Sequence, residues 1–98
     1  MKLEFLSEQK EQQLLHYFCI ISNNHRYDLT IGYSEHFFGK AMVTSLQTGN
    51  MVLLCQEDTP NDEFWAYKLG IEQEDIPEFY EFFDLVLHTQ SFQEQYEH

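Results

Sequence analysis

Histidine and the two acids, the residue types that most often bind metals, are abundant in this chain, with five His and seventeen Asp and Glu. Asp84 and His88 have the clearest spacing, since residues four apart are neighbours on one face of a helix. A zinc site needs three or four converging ligands, and this spacing supplies two. An acid and a histidine near a helix C-terminus also stabilise the helix without a metal. We therefore expect neither a metal nor another cofactor.

Nucleophilic catalysis would require a serine, cysteine or threonine beside a general base. Cys19 and Cys55 both lie in apolar stretches, where thiols are usually buried and inert. His16 precedes Cys19 by three residues, a spacing that on a strand points the two side chains to opposite faces. We expect two reduced, unreactive thiols and a partly exposed histidine, with no catalytic dyad.

Phosphate binding and glycosidase chemistry are not indicated either. The glycines at positions 32, 39, 49 and 70 lack the spacing of a phosphate-binding loop. Adjacent acids stand beside predicted helix starts, where the helix dipole alone favours them. These pairs are Glu57-Asp58, Asp62-Glu63 and Glu74-Asp75. The sequence assigns no catalytic residue, and we interpret the protein as non-enzymatic.

The strong acidity of the chain restricts its partners. The formal net charge is −12 at pH 7, with five cations that are scattered and form no basic stripe: Lys2, Lys10, Arg26, Lys40 and Lys68. Nucleic-acid binding depends on Lys and Arg that neutralise phosphates, and anionic membranes repel acidic proteins. We expect no membrane partner and disfavour nucleic acid. Acidity also keeps small proteins soluble, so it does not by itself identify a basic partner.

The location of the protein is inferred from what its sequence lacks. Residues Met1 to Glu11 contain acids where a signal peptide needs a long apolar run. The apolar run from Met51 to Cys55 is far shorter than a membrane span. We predict a cytoplasmic protein.

The elements that would position these residues begin with four strands. Gln13 to Ser22 is apolar on both faces, and Tyr27 to Ser34 alternates between apolar and polar residues. Asn23 to His25 provides a turn between them, which indicates an antiparallel hairpin. Lys40 to Thr48 and Met51 to Gln56 continue the pattern. Short links between consecutive strands predict an antiparallel meander.

Two helices are predicted after the strands. Thr59 is expected to cap the first helix, Pro60 to take its first position, and Gly70 to end it. The second helix begins within Glu72 to Asp75 and runs to about His88. The fold class is therefore α+β, a four-stranded antiparallel meander followed by two C-terminal helices. We divide the chain into a flexible N-terminal extension (1–12), a single domain (13–88) and a polar C-terminal tail (89–98).

A candidate interaction surface is built from exposed apolar side chains. Phe37 and Phe38 stand in a connector, where paired aromatics cost solubility unless they are covered. In an extended connector the two rings would point to opposite sides, one to the core and one outward beside Lys40. Phe82 and Leu85 fall outside the main apolar stripe of the second helix. These five residues form the predicted contact surface.

A resemblance to a known family adds to this interpretation. The segments RYDL, FFGK and LGI followed by EFFDLVL resemble a small cytosolic family from Gram-positive Firmicutes that is classed as a domain of unknown function. The similarity covers roughly Arg26 to Leu87. It implies a fold and a bacterial cytoplasm, and it brings no activity and no site residues.

The leading hypothesis is a small, acidic, homodimeric protein-interaction module, with a possible further protein partner in the cytosol. Two helices cover one face of the sheet, so the other face should meet a second subunit; Leu14, Phe18, Ile20, Val52 and Leu54 are the residues expected there. One alternative is a small-molecule-binding protein or enzyme whose pocket is lined by Tyr27, Tyr33, Trp65 and Tyr80. Another is an acidic mimic of nucleic acid that binds a basic partner.

Overall fold

The computed structural model describes residues 2–87 and confirms the predicted α+β architecture. Three 3₁₀ turns, at Glu35–Phe37, Gln56–Asp58 and Gln73–Asp75, connect the main elements. The main elements, in chain order, are β1 (Leu15–Ser22), β2 (His25–Tyr33), β3 (Ala41–Ser45), β4 (Met51–Leu54), α1 (Asp62–Leu69) and α2 (Ile76–Val86). Each strand pairs antiparallel with the next in the order β1-β2-β3-β4. The predicted tail (89–98) and the predicted helix end at His88 lie outside the described residues.

The β1–β2 hairpin turns on two asparagines. Asn23 and Asn24 have φ angles of 49° and 67°, and Ser22 pairs with His25 across the turn. Two consecutive positive φ angles are the signature of a type I′ turn, which matches the twist of a hairpin and which Asn tolerates. The turn thus occupies two residues, so β2 begins at His25 rather than at Tyr27.

The sheet has an inner face that the helices cover and an outer face on which several apolar side chains are exposed. On the inner face, Phe18 packs edge-on against Phe82 of α2. Along each strand, every second residue belongs to the opposite side of the sheet, which we call the outer face. Its residues are Leu15, Tyr17, Cys19, Ile21, Arg26, Asp28, Thr30, Gly32, Met42, Thr44, Met51 and Leu53.

Two expectations about the strands were wrong. Phe18, Ile20, Val52 and Leu54 belong to the inner face, where the last two are buried and the first two pack against the core. Cys19 lies on the outer face and is exposed, and Cys55 is half-buried. A thiol inside an apolar run is buried only if its own face is covered, and the outer face of β1 is open.

The helices differ from the prediction mainly at their starts. α1 begins at Asp62 after Asn61, because Thr59 and Pro60 lie in the turn that precedes it. The Thr59 carbonyl accepts a 3.0 Å hydrogen bond from the Trp65 indole, which holds this turn against the core. Gly70 ends α1 in the left-handed conformation, as predicted.

An aromatic cluster fills the space between the helices and the sheet. Trp65, Phe79 and Phe83 are fully buried, and Trp65 meets Phe83 edge-on at 5.0 Å between ring centroids. Tyr27 packs edge-on against Phe79 at 5.1 Å, which joins α2 to β2. Among residues 2–87, no helix is long and apolar enough to cross a membrane.

Candidate functional site

The outer face is an apolar surface built on a regular register. One row across the strands runs Leu15, Gly32, Met42 and Leu53. The Leu15 side chain lies over Gly32, where a Cβ atom would come within 2.7 Å of Leu15 Cδ2. The side chains of Leu15, Tyr17, Ile21 and Met51 are all exposed. Monomeric proteins seldom leave such contiguous apolar patches open, so this face is the first candidate site.

The charged groups of the outer face neutralise each other. Asp28 accepts two hydrogen bonds of 3.2 Å from Arg26, one of 2.6 Å from Gln47 and one of 3.1 Å from the Tyr17 hydroxyl. The hydrogen bonds from the Arg26 guanidinium are the main reason that the pKa of Asp28 lies below its ordinary value. The outer face thus carries one anion and one cation, although the chain as a whole is strongly acidic.

A second candidate site is centred on Asp75, at the end of the turn before α2. Its carboxylate is fully buried and accepts hydrogen bonds from four side chains of the hairpin tip. The donor distances are 2.9 Å from Ser22, 2.7 Å from Asn23 and 2.9 Å from His25 Nδ1, and the Tyr27 hydroxyl is the fourth donor. A carboxylate has about four acceptor sites, as many as the side chains within hydrogen-bonding distance of this one.

The hydrogen bonds around Asp75 determine its ionisation and that of its neighbours. Burial acts to raise the pKa of Asp75, but the hydrogen bonds from Tyr27, Asn23, Ser22 and His25 outweigh burial and lower it. Burial, together with the bond to Asp75, raises the pKa of Tyr27 to about 12. The bond to Asp75 also raises the pKa of His25. The site therefore contains an ionised buried carboxylate at neutral pH.

Two further carboxylates adjoin Asp75. Glu74 Oε1 lies 3.5 Å from His25 Nδ1, and Glu78 Oε2 contacts the Ser22 hydroxyl. We refer to Ser22, Asn23, His25, Tyr27, Glu74, Asp75 and Glu78 as the Asp75 cluster. Sequence reasoning missed it because Asp75 follows Tyr27 by 48 residues and Ser22 by 53 residues. Locally, Asn23-Asn24-His25 is typical of a turn and Glu74-Asp75 of a helix start.

The predicted contact residues around the connector take a different backbone from the one expected. The connector is not extended: a 3₁₀ turn ends at Phe37, and Phe38 and Gly39 follow with φ angles of 57° and 79°. Phe38 is 89% exposed, whereas Phe37 is half-buried. Lys40 is half-buried and donates a 2.7 Å hydrogen bond to Asp58.

The two predicted contact residues on α2 lie in different environments. Phe82 is half-buried, with its ring edge-on to Phe18 at 5.0 Å. Leu85 is 74% exposed. The structure therefore leaves Phe38 and Leu85 open to solvent, and it uses Phe82 to close the core beneath β1.

Of the residues predicted to line a pocket between sheet and helices, Tyr27, Tyr33 and Trp65 are buried in the core. Tyr80 instead borders an open surface cavity of about 490 Å³, whose lining also includes Gln56, Thr59, Pro60, Glu81 and Asp84. Asp84 accepts a 2.7 Å hydrogen bond from Gln56 in this cavity. Its predicted partner, His88, lies outside the described residues.

Comparison with known proteins identifies the family of the chain. The profile of the SAV0927-like family, a family classed as a domain of unknown function, matches residues 6–85. This range contains all four strands, α1 and nearly all of α2, and it extends beyond the resemblance seen in the sequence motifs. No curated protein matches the chain. The chain belongs to the SAV0927-like family.

Proposed function

We propose that this protein is a non-enzymatic, homodimeric interaction module whose outer face packs against the outer face of a second copy. The observation that carries the proposal is the apolar part of the outer face, where Leu15, Tyr17, Ile21 and Met51 are exposed. Burial of apolar surface contributes about 25 cal/mol per Å², so a face of this composition gains from any contact that excludes water. Symmetric dimers bury such a face without needing a different protein.

The charge distribution supports a second copy as the occupant. On the outer face Arg26 and Asp28 pair with each other, and its other side chains are uncharged. The acidic residues of the helices, such as Glu63 and Glu81, are exposed elsewhere. Two copies can therefore meet at this face with their excess negative charge kept away from the contact. A basic partner would gain little there, because complementary charge is what would recruit it.

The cytoplasm is part of the same proposal. Cys19 is an exposed free thiol on the outer face. Exposed thiols persist in compartments that keep them reduced, and disulfides form in oxidising ones. A dimer would also shield Cys19, so the reactivity of this thiol reports on the contact.

The test compares two exposed aliphatic residues on opposite sides of the molecule. Ile21 on the outer face is 72% exposed, and Leu85 on α2 is 74% exposed. Wild-type protein should sediment at twice the chain mass of 11.8 kDa. Ile21→Asp should weaken the dimer by at least about thirtyfold, equivalent to about 2 kcal/mol, because it places a charge in an apolar contact. Leu85→Asp introduces the same charge and should leave the mass unchanged.

The outcomes of this comparison decide which surface forms the dimer interface. In wild type, Cys19 should react with a thiol reagent more slowly as the protein concentration rises, and in Ile21→Asp this dependence should disappear. Loss of the dimer in Leu85→Asp alone would move the interface to α2 and overturn the assignment to the outer face. A wild-type monomer at all concentrations would overturn the dimer itself.

A further inference from the structure

We propose that His25, Glu74 and Asp75 form a binding site for a first-row divalent cation such as Zn²⁺. The three potential ligand atoms are His25 Nδ1, one Glu74 oxygen and one Asp75 oxygen, and all lie within 4.8 Å of one another. Imidazole nitrogen with carboxylate oxygen is an established ligand combination for zinc. The proposal concerns the edge of the fold where the hairpin tip meets α2, and it is independent of the outer face.

The distances between the ligand atoms fit a shared metal ion. His25 Nδ1 lies 2.9 Å from Asp75 Oδ2 and 3.5 Å from Glu74 Oε1. Ligands at about 2.0–2.1 Å from zinc are about 2.9 Å apart at a right angle and about 3.4 Å apart in a tetrahedron. The cation would replace the proton that now links His25 to Asp75. Three protein ligands would leave a coordination position for water.

Asp75 is held in place for this role by the other members of the cluster. Ser22 and Asn23 donate to Oδ1, and Tyr27 donates to Oδ2 beside His25. Each of these three hydrogen bonds is made to Asp75 and can remain when a metal ion binds beside His25 Nδ1. Hydrogen bonds that orient a ligand in this way are a regular feature of metal centres. The Glu74 and His25 side chains are partly exposed, so an ion can reach them from solvent.

A shortage of positive charge is the second observation that points to a cation. Glu74 and Asp75 both pair with His25, and Glu78 adjoins Asp75 through the Ser22 hydroxyl. Within residues 2–87, the ion pairs of Glu74 and Asp75 involve His25 and no lysine or arginine. In addition, Ser22 Oγ contacts both Asp75 and Glu78 but has a single proton to donate. The cluster thus holds more carboxylate than its donors neutralise.

The experiment is a calorimetric titration of the untagged full chain with zinc chloride. Wild type should bind one Zn²⁺ with a Kd tighter than about 100 µM. Glu74→Gln removes one ligand and should weaken binding at least about tenfold. The Glu74 side chain is exposed and its pair with His25 is partly solvated, so the free energy of unfolding should change little. His25→Gln should abolish binding at the site.

The matched control is Glu63→Gln, which removes the same charge from an exposed position in the first turn of α1. It should bind zinc like wild type. Mg²⁺ should not compete, because it prefers all-oxygen ligands and binds imidazole poorly. The proposal is overturned if wild type does not bind zinc, if Glu74→Gln and His25→Gln bind it like wild type, or if Mg²⁺ competes equally. Equal losses in Glu63→Gln and Glu74→Gln would indicate general attraction to acidic charge and would also overturn it.

Discussion

At the scale of single residues, Phe38 combines two unfavourable features. Its ring is 89% exposed, and its backbone is left-handed with a φ of 57°. A left-handed conformation costs a residue with a Cβ atom about 1–2 kcal/mol, and a large residue rarely adopts it without a reason. A ring this exposed adds little to the core, so the stability of the fold does not account for a phenylalanine at this position. We interpret Phe38 as a contact residue at the connector.

The first prediction separates the strain of Phe38 from the contact. Phe38→Gly should raise the free energy of unfolding by roughly 0.5–1 kcal/mol, because relief of strain exceeds the entropy cost of glycine. Phe38→Ser keeps a Cβ atom and should leave stability nearly unchanged. Urea denaturation of both variants measures this. A loss of about 3 kcal/mol in either would mean that the ring is part of the core.

The role of Phe38 in self-association is measured on the same two variants. If Phe38 belongs to the dimer interface, Phe38→Gly and Phe38→Ser should both weaken self-association by sedimentation. If association and stability are unchanged in both, the ring has no role in binding and the connector is a spacer.

At the scale of elements, the β1–β2 pair depends on the ionised Asp28. Its folded pKa is lowered, first of all by Arg26, so it contributes stability above its unfolded pKa of about 3.9. That contribution is lost as the pH falls through the folded value. We expect Asp28→Asn to be less stable than wild type at neutral pH and to lose less stability on acidification. Urea midpoints between about pH 3 and pH 7 measure both effects.

The control for this prediction is Glu63→Gln, an exposed acid on α1. Its urea midpoint at neutral pH should stay close to that of wild type, because Glu63 takes no part in the hydrogen bonds to Asp28. If the stability of Asp28→Asn ran parallel to that of wild type across the pH range, the hydrogen bonds around Asp28 would contribute no pH-dependent stability.

The elements show which features local sequence can predict. Asn23-Asn24 and Gly70 were interpretable because their backbone angles follow from residue type. The start of α1 is not predictable in this way. Thr59 resembles a cap residue, but it is the Thr59 carbonyl, not its side chain, that makes a hydrogen bond, and its partner is the Trp65 indole. The exposure of Cys19 depends on which face of β1 the helices cover, and alternation alone does not decide that.

At the scale of the whole molecule, net charge and exposed apolar surface have opposite effects on self-association. Each chain carries a formal charge of −12, so two copies repel at long range, and the proposed dimer has to form against this repulsion. Raising the salt concentration from about 20 mM to about 500 mM shortens the screening length from about 20 Å to about 4 Å. The dimer should therefore become tighter, by sedimentation at the two salt concentrations. A dimer that weakens with salt would instead be held by charge pairs.

The limits of prediction at this scale come from distance along the chain. The four-strand meander and the two helices follow from local patterns and short links. The Asp75 cluster does not, because its donors and its acceptor are about 50 residues apart and each has an ordinary local explanation. The outer face was expected to be uncovered, but its residues became identifiable only once the side that the helices occupy was known.

The burial of Asp75 also bears on the order in which the chain folds. The β1–β2 hairpin is local and can form while the chain is still being synthesised. Its tip, however, offers Ser22, Asn23, His25 and Tyr27 to a carboxylate that emerges from the ribosome about 50 residues later. Until then the Tyr27 hydroxyl lacks its native partners, Asp75 and the Glu72 N–H, and must hydrogen-bond to water. The hydrogen bonds to Asp75 then join the hairpin tip to the start of α2. The sheet and α2 should therefore complete folding in a single cooperative step.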